Sequence, residues 1–330
     1  MLKNEDKEYD FPVDLVYLWV DGNDPEWQAK RAAISETAAA QRPVEGESDS
    51  VDCKGRYADN DELRYSLRSV SLYAPWIRNI YIVTDNQKPR WLNLDNPKIH
   101  IVDHKEILPP SSLPTFNSCV IEHALHLIPG LAEHFIYSND DTFINRPVTP
   151  AHFFMPDGTP IVRFNRRPAR KFTLWLKEKV QKKPLGDYNR TIQNSATLVE
   201  QHYGTYIGHK THHNIDAYRK STYAKVRRLF SSEIDPTMTN HTRHSSDLQR
   251  NLYSYAALLE GEARRQFVSQ KTSFRLHIDN TSHYAKLERY NPMLFCLNDS
   301  QYATDSDRLK VKEYLKRRFP EASEFELPCD

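Results

Sequence analysis

The 330-residue chain is 39% hydrophobic and 11% aromatic, enough to bury a large core as one big domain or two. Its 45 Lys and Arg against 44 Asp and Glu leave a formal charge of +1, which excludes a globally basic nucleic-acid binder. No apolar run reaches the roughly 18 residues that cross a bilayer, the start Met1-Leu2-Lys3-Asn4-Glu5-Asp6-Lys7-Glu8 is too charged for a secretory signal, and Cys53, Cys119, Cys296 and Cys329 lack any Cys-x-x-Cys spacing, so a cytoplasmic protein with reduced thiols is expected.

In chain order, Val13 to Val20 is almost continuously apolar and breaks at Asp21-Gly22-Asn23-Asp24-Pro25, which predicts a central strand and its turn. Residues from about Ala29 to Cys53 read as a helix followed by a mobile loop. The acidic run Asp59-Asn60-Asp61-Glu62 predicts the cap of a helix with Leu63, Leu67 and Val70 on its buried face. Arg64 and Arg68 fall one turn apart on that helix and can reach a phosphate. Strands follow at Asn79–Thr84 and Ile99–Val102, and Val120, Ile121, Ala124, Leu125 and Ile128 space out as one buried helical face. Next comes Phe135-Ile136-Tyr137-Ser138-Asn139-Asp140-Asp141, an apolar strand that opens onto adjacent carboxylates. Strands alternating with helices predict an α/β fold with a mostly parallel, Rossmann-like central sheet.

The second half is less regular. After a strand at Pro160–Phe164, the segment from Arg163 to Arg190 holds ten Lys or Arg against Glu178 and Asp187. Phe172, Leu176 and Val180 recur every four residues within it, so a basic amphipathic helix is expected, able to lie on a polyanion or at an anionic membrane surface. Then come a polar block, Gly208-His209-Lys210-Thr211-His212-His213-Asn214, and Arg243-His244-Ser245-Ser246-Asp247, which reads as the cap of a helix through Leu248, Leu252, Tyr255 and Leu259. The strand Phe295-Cys296-Leu297-Asn298-Asp299 ends in polar residues, and a last helix stops at Phe319-Pro320.

The chain lacks both Gly-x-Gly-x-x-Gly and Gly-x-x-x-x-Gly-Lys-Ser/Thr, so no glycine loop cradles a nucleotide's phosphates. A bound diphosphate would need metal and side-chain cations instead, which Asp140 and Asp141 with Mg²⁺ (or Mn²⁺), together with Arg64, Arg68 and Arg243, can supply. The histidine block lacks the Cys or carboxylate spacing of a structural zinc site. No Gly-x-Ser-x-Gly elbow supports serine hydrolysis.

Several of these blocks resemble the Stealth family of sugar-phosphate transferases. Asp14-Leu15-Val16-Tyr17-Leu18-Trp19-Val20-Asp21-Gly22-Asn23-Asp24-Pro25 is similar to the family's first region. Asp59 to Ser69, Ala74 to Ile80, Leu113-Pro114-Thr115-Phe116 and Ile136 to Asp141 resemble the second. His209 to His213 with Arg243 to Asp247 resemble the third, and Phe295 to Asp299 with Phe319-Pro320 and Ser323-Glu324-Phe325-Glu326 the fourth.

The resemblance implies a single catalytic domain over 1–330 with a GT-A-like fold. Within it, residues 12–165 would form a nucleotide-sugar-binding part, 166–270 a mainly helical basic part with the histidine block, and 271–330 the strand and helix that complete the site. It implies transfer of a hexose-1-phosphate from a UDP-sugar to a hydroxyl of a polysaccharide or oligosaccharide acceptor, with UMP released, in capsule or exopolysaccharide synthesis. His209 is the expected general base, with Arg243 answering the charge on phosphate, Asp140 and Asp141 holding the metal, and Glu122 orienting ligands. Asp21, Gly22, Arg64, Arg68, His212, Asn298 and Asp299 are the expected substrate-binding residues. The histidine block is one residue longer than the family's pattern, which leaves His209, His212 and His213 as alternatives for the base. A metal-dependent glycosyltransferase that releases UDP and a non-enzymatic polyanion-binding module are the competing readings. Residues 163–190 would supply any peripheral contact with the inner face of a membrane.

Overall fold

The computed structural model describes residues 9–41, 60–168, 174–181, 186–299 and 302–328. The expected loop up to Cys53, the acidic residue Asp59, Phe172 and Cys329 lie outside them. Ten strands are described: β1 (Val13–Leu18), β2 (Ile80–Thr84), β3 (Ile99–Asp103), β4 (His134–Asn139), β5 (Thr142–Ile144), β6 (Ile161–Phe164), β7 (Asp216–Arg219), β8 (Arg264–Phe267), β9 (Ser273–His277) and β10 (Leu294–Asn298). The main sheet has the order β3-β2-β1-β4-β7. Its first four strands are parallel, and β7 closes the edge antiparallel to β4. A second sheet runs β5-β10-β9, and β6 and β8 form a two-stranded sheet. The chain is therefore α/β with a mostly parallel central sheet.

The unbroken apolar run of β1 suits a strand covered on both faces. Side chains alternate across it. Val16 packs in a cluster with Phe135, Tyr137, Tyr223 and Tyr253. Leu15 and Tyr17 face the other way onto Leu63, Leu67 and Val70, the buried stripe of the helix Glu62–Tyr73. Asp14 is the polar exception: it is fully buried, bonds Arg78 through both carboxylate oxygens at 2.9 and 2.6 Å, and accepts the Ala132 amide at 2.7 Å. It locks the end of the sheet opposite Asp140 and Asp141.

Local signals were overridden in three places. Asp61 does not cap the helix Glu62–Tyr73, because it sits at φ 63°; Glu62 instead reaches back to the amide and side chain of Asn60 at 2.5 and 2.7 Å. The apolar face from Val120 to Ile128 is not one helix. A helix Ser118–Glu122, capped by Asn117, ends at His123 and a 3₁₀ turn Leu125–Leu127 follows, with all five apolar residues still in one cluster. Asp247 does not cap the helix Asn251–Leu259; its carboxylate ties Asn117, Asn240 and the His244 amide together at 2.6 to 2.8 Å. Of the expected basic amphipathic helix, residues 174–180 are described and are helical, ending in the π-helical turn Leu176–Val180; Phe172 lies outside the described residues, and the helix Asp187–Tyr203 follows as a separate element.

The C-terminal segment folds back onto the helix Glu62–Tyr73. After the helix Asp305–Arg318, Glu326 bridges to Leu92 and its buried carboxylate takes Arg64 at 2.5 Å and Arg68 at 2.7 and 2.8 Å. Arg68 also donates to the carbonyls of Phe319 and Pro320. The two arginines expected to bind phosphate are thus committed to a structural ion cluster, since a chelated guanidinium pair needs its carboxylate more than a solvated ligand. Burial alone would raise the Glu326 carboxyl, but Arg68, the Ser323 amide and Arg64 hold it down at about 2, from an ordinary 4.5. A depressed carboxylate stabilises the fold fully above its unfolded value and progressively less as pH falls from 4.5 toward 2. Glu326→Gln is expected to lower the unfolding free energy at neutral pH by about 3 kcal/mol in urea denaturation. The variant should also lose the wild type's steep decline in stability across that acid window, and matching acid limbs in the two proteins would refute the assignment.

Candidate active site

Ligands of open parallel sheets gather at the carboxyl ends of the strands, and Asp140 and Asp141 leave β4 there, beside the end of β1 (Leu18 opposite Asn139). The chain then changes sheet at once. Thr142 on β5 pairs with Cys296 on β10, and the Leu297 amide donates to the Asp141 carbonyl at 2.8 Å. Asp141 therefore sits on the seam between the two sheets. A third segment arrives from the histidine block, which runs along β6 (Thr211 bridged to Phe164) before entering β7. It delivers His213. One ligand atom each of Asp141, His213 and Cys296 lies within 4.8 Å of the others.

The electrostatics of this group follow from burial. Cys296 Sγ donates to Asp141 Oδ2 at 3.4 Å, while Asp141 Oδ1 is buried with no hydrogen-bond partner. Burial pushes the Asp141 carboxyl up to about 7, and nearby Glu62 adds to the rise. Burial and the Asp141 carboxylate push the Cys296 thiol well above its usual range. Burial with the guanidiniums of Arg250 and Arg275 brings His213 down to about 3, so its imidazole is neutral, with Nδ1 3.3 Å from the Tyr188 hydroxyl. An orphaned carboxylate oxygen in low dielectric is short of a cation. Oδ1 is the hard donor that Mg²⁺ or Mn²⁺ takes, whereas the nitrogen and sulfur beside it are donors of softer ions. A divalent ion therefore fits at Asp141. Asp140 is not part of this three-residue group; its Oδ1 accepts the Asp141 amide at 3.0 Å.

Behind Asp141 lies a buried ion network. Arg250, at the start of the helix Asn251–Leu259, donates to Glu122 Oε1 at 3.1 Å and Asp216 Oδ2 at 3.0 Å, and its guanidinium stands 4.7 Å from the centre of the Tyr137 ring. Glu122 takes Tyr137 OH at 3.1 Å and keeps Oε2 without a partner. Burial works against the charge on Asp216, yet His212 and Arg250 hold it below the usual carboxylate range.

The remaining expected residues divide. Arg243 donates to Ser118 at 2.9 Å, and with Arg250 and Arg275 acts on the Tyr188 hydroxyl that bonds His213. His209 stands outside the Asp141 group: its Nδ1 bonds the Asn165 carbonyl at 3.0 Å and its ring meets Phe267 edge to face at 4.9 Å. His212 is 2% exposed, with Nδ1 on Ser273 at 3.1 Å and Nε2 on the Ile215 carbonyl at 3.2 Å and Asp216 at 3.4 Å. It holds the framework and offers substrate no free nitrogen. The turn at Asp21 and Gly22 is closed by Gln87, which exchanges two bonds of 3.0 Å with the Asp21 backbone, and by Gln28 on the Gly22 carbonyl at 2.9 Å. Asp299 is taken by Arg308 at 2.8 and 3.1 Å, and Asn298 lies 3.4 Å from His277. Sequence reasoning missed Arg250, Asp216, Tyr188 and Arg275, and gave Cys296 no role. The one legible signal among them was Arg250, a charge immediately before a helix that is buried along nearly its whole length.

Residues 11–37 match the Stealth protein CR1, conserved region 1, and residues 56–162 match the Stealth protein CR2, conserved region 2. The exopolysaccharide phosphotransferase SCO2594 of Streptomyces coelicolor is 36% identical over 97% of this chain and 52% of its own length. The exopolysaccharide phosphotransferase CpsY of Mycobacterium leprae is 36% identical over 94% of this chain and 56% of its own. The chain thus spans about half the length of these curated relatives. Among solved structures, a galactosyltransferase, LgtC, in complex with donor and acceptor sugar analogues, aligns over 96% of this chain and 97% of its own with a TM-score of 0.48 and 10% identity. The chain thus carries conserved regions 1 and 2 of the Stealth family and is matched at this identity along nearly its whole length by exopolysaccharide phosphotransferases.

Proposed function

We propose that this chain transfers a hexose-1-phosphate from a UDP-sugar to a hydroxyl of a glycan acceptor. The acceptor oxygen attacks the phosphorus that bears the sugar, the bridging P–O bond breaks, and UMP leaves with the bonding electrons; the sugar's anomeric C–O bond is untouched. The observation that carries the reading is the orphaned Asp141 Oδ1 at the carboxyl end of the sheet, in a chain matched along its length to exopolysaccharide phosphotransferases. A divalent ion bound there would neutralise the diphosphate, with Asp141 and His213 as its nearest donors and Asp140 beside them.

The chain's own residues supply the rest. Arg243, with Arg250 and Arg275 behind it, places positive charge where the transferred phosphoryl oxygens gain negative charge. Glu122 keeps Arg250 in place. Asp21 and Gly22, after the end of β1, and Asn298, at the end of β10, are the proposed donor contacts. His209 is the proposed base. Its Nδ1 must donate to the Asn165 carbonyl, which leaves the Nε2 lone pair of a neutral ring for the acceptor's proton. His213 is less suited, because at about 3 it is too weakly basic to take a proton near neutrality.

Excess EDTA should abolish transfer, and Asp141→Asn should lower the rate at least about 100-fold, with binding of a fluorescent UDP-sugar weakened in parallel; undiminished turnover in chelator would end the metal assignment. Chromatography of the released nucleotide should show UMP, whereas UDP with a purely glycosidic product would make the chain a glycosyltransferase. His209→Ala should remove transfer and leave donor binding intact, since a base acts in the transition state, while His213→Ala should raise the metal concentration needed. A dead His213→Ala at saturating metal beside an active His209→Ala would move the base to His213.

A further inference from the structure

The two-stranded unit β6–β8 is out of place in an otherwise well-covered molecule. All four residues of β8, Arg264-Arg265-Gln266-Phe267, are exposed, as are Asn165, Arg166 and Arg167 at the end of β6. Residues 161–168 and 264–268 together contain five arginines and no carboxylate. Among the described residues none of the four exposed ones, Arg166, Arg167, Arg264 and Arg265, is paired with an acid. Arg163 is buried and faces inward.

Their placement is ordered. Arg265 lies opposite Val162 and Phe267 opposite Phe164 in the parallel register, so Arg265 and Phe267 share one face. The Arg265 guanidinium stands 5.9 Å from the Phe164 ring centre, and Arg166 Nε is fixed on the Val268 carbonyl at 3.2 Å. The same edge holds the proposed base: His209 bonds the carbonyl of Asn165, and Phe267, 36% exposed, meets its ring. An exposed aromatic ring on the same strand pair as two guanidiniums without an acid partner, with an imidazole against it, presents an apolar platform for a sugar ring and charges for anions near it.

We propose that this edge is the acceptor subsite and that the acceptor is an anionic glycan, carrying carboxylate or phosphodiester groups along its chain. The sugar ring that bears the attacked hydroxyl rests on Phe267, beside His209, while Arg166 and Arg265 bind anionic groups of neighbouring units. A phosphodiester transferase adds one negative charge with each unit, so its own product is a polyanion and a chain extended before fits the same surface. The inference takes the role of His209 from the transfer reading above; the binding it describes stands without it.

Calorimetry on the whole chain, without nucleotide or metal, tests it with three probes: alginate, a uronic-acid glycan; dextran of similar length, a neutral one; and inorganic polyphosphate, an anion without sugar. Alginate should bind and dextran should not. Arg166→Ala/Arg265→Ala should weaken alginate by at least about tenfold, while Lys286→Ala/Arg289→Ala, an equal loss of charge on the exposed helix Thr281–Tyr290, should leave it unchanged. Phe267→Ala should weaken alginate but not polyphosphate. Equal affinity for dextran and alginate, or an arginine pair variant that binds alginate like the wild type, would overturn the proposal. An unchanged affinity of Phe267→Ala for alginate would overturn the glycan assignment and leave a general polyanion surface. Because no donor is present, a failure of UMP release in the transfer assay would not be mistaken for a failure here.

Discussion

One buried guanidinium holds the site together. Arg250 is charged in a place that water does not reach, which is tolerable only because Glu122, Asp216 and the face of Tyr137 surround it. Each partner belongs to a different element: the helix before β4, the strand β7 and β4 itself. Asp216 in turn holds His212, the residue immediately before His213. The cluster fixes the edge of the sheet, the histidine block and the helix Ser118–Glu122 relative to one another before any ligand arrives. Removing Arg250 would leave two buried carboxyl groups without their shared cation, so the geometry is set by electrostatic necessity more than by packing preference.

The same economy explains where the candidate site lies. A parallel strand delivers its last residues to the carboxyl edge, and here the chain crosses at that point into a second sheet. The crossing leaves Asp141 with a sulfur on one side and an imidazole on the other, and with an oxygen that nothing in the described protein satisfies. Burial and cation demand arise from one topological event.

Much of this was legible in the sequence. The apolar run before Asp21, the runs at Asn79–Thr84 and Ile99–Val102 and the apolar strand ending at Asp140 and Asp141 give the sheet's four parallel strands, and the stripe of Leu63, Leu67 and Val70 gives the helix that covers them. What was not legible has a common cause. Arg64 and Arg68 look like phosphate ligands until Glu326, far away in sequence, takes both. His209, His212 and His213 are nearly contiguous, yet the path of the chain from β6 to β7 sends one to a backbone carbonyl, seals the second and leaves the third beside Asp141. Arg250 and Asp216 find each other only in three dimensions. Strands as short as β5 and β7 carry too few residues for a period to show.

The clasp of Glu326 has a consequence in time. Arg64 and Glu326 are 262 positions apart, and a ribosome makes the chain from its amino end. The helix Glu62–Tyr73 and the strands beside it emerge early and can bury their apolar faces at once, but two guanidiniums must wait for their counter-charge until Glu326 has been made. Until then the two guanidiniums, one turn apart, repel each other without their shared counter-charge, and the helix that carries them lacks its tie to the C-terminal segment. Closure of the fold is thereby tied to the segment that brings Glu326 home, and a ribosome that stalls before it leaves a product whose Arg64–Arg68 helix is still open.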